Sequence, residues 1–178
     1  MNQTAKSNDS THRQPVYRTV LAVIGTGLLT AMAFPGYNQW YLAWVSLVPL
    51  LLTIRSASPR EGFRRAYIAG FVFNGLILSW MLGLVYWAGS IVLLGISLLV
   101  AYMALYWAVF GWTFCRLRSF GRWYPVLFGP LVWAVLEYLQ GKLFSGFGWG
   151  LIGNTQIADI AVAQCAAVGG VYLVSAIV

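Results

Sequence analysis

Four side chains in the last third of this sequence have types suited to chemistry and lie close together along it: the carboxylates of Glu137 and Asp159, the ammonium of Lys142 and the thiol of Cys165. Glu137 lies near the end of an apolar segment, between Leu136 and Tyr138. An unpaired carboxylate is costly in hydrocarbon, so it must face a helix bundle, find a partner or reach an interface. Lys142 follows closely enough to pair with it across a helix end. Two readings stay open for Glu137: contact with a lipid headgroup or an amine, or an interfacial charge of structural use. Glu137, Lys142 and Cys165 are not read as a catalytic set, because the thiol falls about 8 Å past the start of its own apolar segment, in surroundings where it is inert. Asp159 is placed to cap the helix that follows it. Asn74, inside another apolar segment, is the kind of residue that bonds one helix to its neighbour, for roughly 1 kcal/mol or less. The stretch Ser145-Gly146-Phe147-Gly148-Trp149-Gly150 has too many glycines for a helix. It is either an aromatic loop able to cradle an acyl chain or headgroup, or a plain reverse turn. No metal-ligand cluster, nucleotide loop or serine–histidine pair occurs, so neither metal nor cofactor is expected. His12 sits in a polar stretch and reads as solvated.

The elements that must hold these residues are apolar helices. The chain is 60% hydrophobic and 8% charged, with a mean hydropathy of +0.75, too little charge to cover a soluble domain. The pattern predicts an all-α integral membrane domain with six spans, near 19–34, 37–54, 66–87, 90–115, 124–140 and 160–178. Pro49 should kink the second. Residues 1–18 read as a disordered cytoplasmic tail. The basic stretch, apolar run and Ala31-Met32-Ala33 resemble a cleavable signal, but the run continues through Phe34 and more spans follow, which favours an uncleaved anchor. Ala66 with Gly70, and Ala104 with Ala108, give the small-residue spacing that lets helices approach closely. Cys115 and Cys165 fall at different depths and should not pair.

Of the eleven Lys and Arg residues, all but Lys142 lie in three segments: before the first span, between the second and third, and between the fourth and fifth. Short basic loops stay in the cytosol, so the amino terminus is expected inside and the Gly146–Trp149 region outside. The formal net charge of +7 flanks apolar runs, which points to anionic headgroups and away from nucleic acid. No Lys or Arg follows the sixth span, which reads as a truncation.

The motifs Ala33-Phe34-Pro35-Gly36-Tyr37, Gly70-Phe71 through Val85-Tyr86, Glu137-Tyr138-Leu139-Gln140-Gly141, Gly146-Phe147-Gly148-Trp149 and Gln156-Ile157-Ala158-Asp159 occur in that order. In them the chain, over roughly residues 20–178, resembles the amino-terminal membrane domain of bacterial apolipoprotein N-acyltransferases. The resemblance implies an inner-membrane enzyme that moves an acyl chain from a phospholipid to the amino group of a diacylglyceryl-cysteine lipoprotein, by ping-pong chemistry on the periplasmic side. It also implies that the catalytic Glu, Lys and Cys belong to a nitrilase-like domain beyond a seventh span. That domain is absent from these residues, so the chain is expected to be inactive alone or to work with a separately encoded catalytic half. Tyr86, Glu137, Phe147, Trp149 and Gln156 match the family and are the candidate substrate-binding residues. Gln140 stands where the family often has Arg, Gly148 where it has Pro, and Leu84 where it has Trp. The alternative is a non-enzymatic lipid-binding or scaffold membrane protein. A small transporter is disfavoured, since inverted repeats and paired broken helices are not evident.

Overall fold

A computed structural model describes residues 16–178. Residues 1–15, which hold most of the expected tail and His12, lie outside the described residues. Among those described, the secondary structure is helical, with no strand.

Helix α1 (Val16–Met32) buries Val23, Gly27 and Ala31. Its Thr26 and Thr30 hydroxyls donate to the Ala22 and Thr26 carbonyls, so their burial leaves no polar group stranded. The expected second span is broken. A 3₁₀ turn at Trp40–Leu42 leads into α2 (Ala43–Ser46) and α3 (Val48–Ile54), which part at Leu47. Pro49 stands in the first turn of α3. It cannot donate to the preceding turn, which explains why the kink becomes a new helix start.

Helix α4 (Pro59–Ile77) starts well before the expected boundary at 66, because Ser58, Pro59 and Glu61 form a complete N-terminal cap. The Ser58 hydroxyl accepts from the Glu61 N–H, and the Glu61 carboxylate accepts from the Ser58 N–H. The helix of the expected third span is bent. It ends at Leu78, bends by 54° and continues as a 3₁₀ stretch, Ser79–Leu84, and α5 (Val85–Ala88). The Asn74 side-chain amide donates to the Gly70 carbonyl of its own helix (2.7 Å), not to a neighbouring helix as expected.

Helix α6 (Ile91–Leu117) and α7 (Tyr124–Gln140) follow the expected spans closely. The sixth expected span is not one helix. α8 (Ile160–Ala163) is separated from α9 (Ala166–Ile177), and α9 is itself interrupted where Gly170 takes φ +66°. Two adjacent glycines in an apolar helix supply that freedom. Asp159 caps α8 as expected, with Oδ1 accepting from the Val162 N–H (3.4 Å).

The most extensive helix pair is α4 with α6. Ala66 and Ala104 are fully buried, and a Cβ added at Gly62 would stand 2.6 Å from the Gly111 carbonyl oxygen. A row of rings continues the core from Phe34 to Phe73 (5.3 Å), Trp107 (5.1 Å) and Trp133 (5.0 Å). The outward faces are apolar: Leu98 of α6 is 62% exposed and Leu127 of α7 is 66% exposed. Such a surface suits hydrocarbon better than water. By length and composition α6 qualifies as a membrane-crossing helix by itself, and α4 with the segment after its bend qualifies as a second.

Two ends of the bundle are distinguished. At one, Cys115 of α6 donates to the Ile54 carbonyl (3.3 Å), and Arg65 of α4 donates to the Thr53 carbonyl. The arginine-bearing connections 55–65 and 116–122 therefore gather there. At the other, Gln156 donates to the Trp40 carbonyl, which brings the residues after α1 beside those after α7.

Candidate functional site

Along α7, Trp133, Glu137 and Gln140 recur at the spacing of one helix face, and all three are buried. Glu137 is only 4% exposed, so of the positions open to it in sequence it takes the bundle interior. One carboxylate oxygen, Oε1, accepts from the Trp133 indole N–H (2.9 Å) and from the backbone N–H of Ile152 (2.7 Å). The other, Oε2, is buried without a hydrogen-bond partner. Lys142 is not its partner, contrary to expectation. Past the end of α7 the chain turns, and the Lys142 ammonium rests over the Tyr138 ring, 5.8 Å from its centre. No hydrogen bond or ion pair among the described residues joins Glu137, Lys142 and Cys165, and both cysteines are free.

The glycine-rich stretch folds back on the end of α7. The Phe147 N–H donates to the Gln140 carbonyl (2.9 Å), and the Gln140 amide donates to the carbonyls of Phe147 (3.4 Å) and Trp149 (3.1 Å). Gly146 and Gly150 both have positive φ, and Gly150 presses so closely on Ile77 that an added Cβ would stand 2.5 Å from its Cδ1. Glycine is the residue that meets both demands. The Trp149 ring then lies 5.0 Å from that of Trp80 and 6.3 Å from that of Phe147. Trp149 is 55% exposed, so an aromatic face is offered outward while its backbone is fixed.

Beyond Trp149 the chain enters a 3₁₀ stretch, Ile152–Ala158. Its amides are taken by side chains: Ile152 by Glu137, and Gly153 by the Ser175 hydroxyl of α9 (2.8 Å). Gln156 is fully buried and donates to the Trp40 carbonyl (3.2 Å) and the Thr155 hydroxyl (2.8 Å), while its Oε1 has no partner. Of the five sequence-predicted residues, the structure thus gathers Glu137, Phe147, Trp149 and Gln156 around one helix end. Tyr86 stands apart, highly exposed, with its ring against Trp87. Gln140, Trp133, Ser175 and Thr155 were missed. Gln140 carried the clearest signal, one helical turn after Glu137 and next to the glycine stretch. A cleft no larger than about one water molecule is lined by Tyr106 and Trp107 of α6, by Trp133, Glu137 and Gln140 of α7, and by Gly150. Among the described residues, no group of His, Cys, Asp and Glu is placed to hold a metal ion.

Fold and site together define an all-helical domain of membrane-protein composition, built around one buried carboxylate and an aromatic loop fastened beside it. The family model described as the apolipoprotein N-acyltransferase N-terminal domain matches residues 26–178, and the chain belongs to that family. It is 36% identical over 159 residues to an apolipoprotein N-acyltransferase of Geobacter metallireducens, with 87% of this chain and 30% of the relative aligned. The enzyme of the same name from Vibrio cholerae is 32% identical over 162 residues, covering 87% of this chain and 32% of the relative. That from Chromobacterium violaceum is 32% identical over 168 residues, covering 89% and 31%. The chain therefore spans about a third of the length of these relatives, their amino-terminal part.

Proposed function

We propose that this chain forms the membrane domain of an apolipoprotein N-acyltransferase, which transfers a phospholipid acyl chain to the N-terminal amine of diacylglyceryl-cysteine lipoproteins. It is a multi-pass protein of the inner membrane, with six crossings, a cytoplasmic amino terminus and Trp149 facing the periplasm. The helices α1 and α7, of 17 residues each, are about 25 Å long, near the lower limit for a crossing. The broken second and sixth segments cross where protein covers their freed backbone groups.

In this reading the domain presents a nitrilase-like catalytic unit to the outer leaflet and admits diacyl substrates laterally between helices. Phe147 and Trp149 bear on the acyl chains and Tyr86 on the rim, while Glu137 and Gln156 hold the mouth in shape. The observation that carries this reading is the convergence of four family-matching residues at the bundle end opposite the arginines. Co-expression with a family nitrilase-like unit, in cells depleted of their own acyltransferase, tests it by the mass of the lipoprotein produced. Triacylated lipoprotein is expected, and Trp149→Ala should lower its yield about tenfold, the worth of one lost aromatic contact. No product with both parts present in the membrane, or an undiminished yield from Trp149→Ala, would refute the reading.

A further inference from the structure

At the arginine-bearing end, α1, α3 and α4 leave a groove of about 1280 Å³ between them. Arg18, Arg55, Arg64 and Arg65 line it, and its walls include Leu52 and Ile68. The only acid on its rim among the described residues is Glu61, which Arg65 meets at 3.8 Å. Arg65 is further fixed by donating to the Thr53 carbonyl, and the Arg18 guanidinium donates to the Tyr17 hydroxyl (3.2 Å). Arg55 and Arg64 make no hydrogen bond or ion pair with any described residue, and both are exposed. The groove therefore combines an apolar wall, Arg65 held by Glu61 and Thr53, and Arg55 and Arg64, whose donors have no partner among the described residues.

An occupant must be anionic at the rim and apolar below it. The chain's own residues 1–15 fit poorly, since they carry Lys6 and Arg13 against Asp9. Basic pockets between membrane helices suit anionic lipid headgroups, and guanidinium groups match phosphate oxygens in paired hydrogen bonds. The volume exceeds the roughly 300–1,000 Å³ of pockets for drug-sized ligands, so a headgroup can enter with the upper part of an acyl chain. The groove's α1 residues, Val16 to Val23, lie in the first half of that helix, whose far end leads towards Trp40 and its contact with Gln156, so it is a second lipid site and not an extension of the first.

We propose that this groove binds an anionic phospholipid, with the phosphate held by Arg55 and Arg64 and an acyl chain lying along Leu52 and Ile68. The proposal rests on the chain lying in a bilayer, as proposed above, but on neither its acyltransferase role nor its orientation.

The test is native mass spectrometry of the whole chain in neutral detergent, titrated with phosphatidylglycerol, phosphatidylcholine or inorganic phosphate. Phosphatidylglycerol should bind, and the double variant Arg55→Gln/Arg64→Gln should weaken it about tenfold or more. The double variant Arg118→Gln/Arg122→Gln removes the same charge at the same end but outside the groove, and should bind as the parent does. Ile68→Trp fills the wall while keeping the arginines, and should also weaken binding. It serves as the deciding variant if the arginine pair fails to fold. Equal binding of phosphatidylcholine, or of inorganic phosphate, would overturn the proposal, as would equal weakening in the Arg118/Arg122 control. Parent-strength binding by Ile68→Trp would do so as well. A gain in phosphatidylglycerol affinity on removing residues 2–15 would mark the chain's own tail as the occupant and likewise overturn it.

Discussion

Glu137 shows how much one carboxylate oxygen can organise. Oε1 receives an indole N–H from its own helix and a backbone N–H from fifteen residues later, so it joins α7 to the segment after the aromatic loop. Glu137→Gln keeps a carbonyl oxygen for both donors, whereas Glu137→Leu leaves two buried donors without an acceptor. Each such donor costs about 1–3 kcal/mol. Thermal unfolding in detergent should therefore rank Glu137→Leu well below the parent and Glu137→Gln near it. Equal losses would mean that charge, and not hydrogen bonding, is what the site uses. That Glu137 needs a partner or a place in the bundle was legible, because a lone acid in an apolar run demands one. Its partners were not, since Ile152 contributes only a backbone amide and backbone amides look alike in any sequence. Lys142 misled for a related reason: proximity along the chain says nothing about which way the chain turns after Gly141.

Among the elements, those whose apolar runs are uninterrupted were the most readable. Residues 90–115 and 124–140 were expected as spans, and helices run over Ile91–Leu117 and Tyr124–Gln140, of which the first is long and apolar enough to cross a membrane by itself. The start of α4 was readable but overlooked, because the Ser58–Glu61 cap lies in a charged stretch that hydropathy assigns to a loop. The breaks at Leu78 and Gly170 were hidden, since an apolar pattern has the same period on both sides of a bend. The small residues between α4 and α6 were read correctly, and they give a paired prediction. A Cβ at Gly111 would meet the Ala66 Cβ at 2.5 Å and approach the Gly62 carbonyl, whereas one at Gly95 of the same helix meets nothing within 4 Å. Gly111→Ala should destabilise by about 1–3 kcal/mol through overpacking. Gly95→Ala should be neutral or stabilise by about 0.5–1 kcal/mol, as expected when a glycine leaves a helix interior. Unfolding midpoints of the two variants check both signs, and a loss of similar size at Gly95 would count against packing as the cause.

The whole molecule is polar in the sense of a bar with unlike ends. Arginine-bearing connections meet at one end and the Gly-Trp segment lies at the other. With basic loops held in the cytosol, a membrane-impermeant thiol reagent should label Trp149→Cys in intact cells, in a background freed of the two native cysteines. Arg118→Cys should react only after lysis. The reverse pattern would invert the orientation. This separation was visible in the spacing of the arginines alone, because insertion reads charge locally and needs no tertiary contact.

The stretch between Gly141 and Leu151 is stitched at both margins to a single turn of α7, by Gln140 on one side and Glu137 on the other. It cannot swing as a flap on its own. Pro130 removes one hydrogen bond from the same helix below that turn, and the segment after the loop is tied to α9 through Gly153 and Ser175 and to Trp40 through Gln156. The Trp149 ring is therefore carried on a segment anchored to α7, to α9 and to the residues after α1.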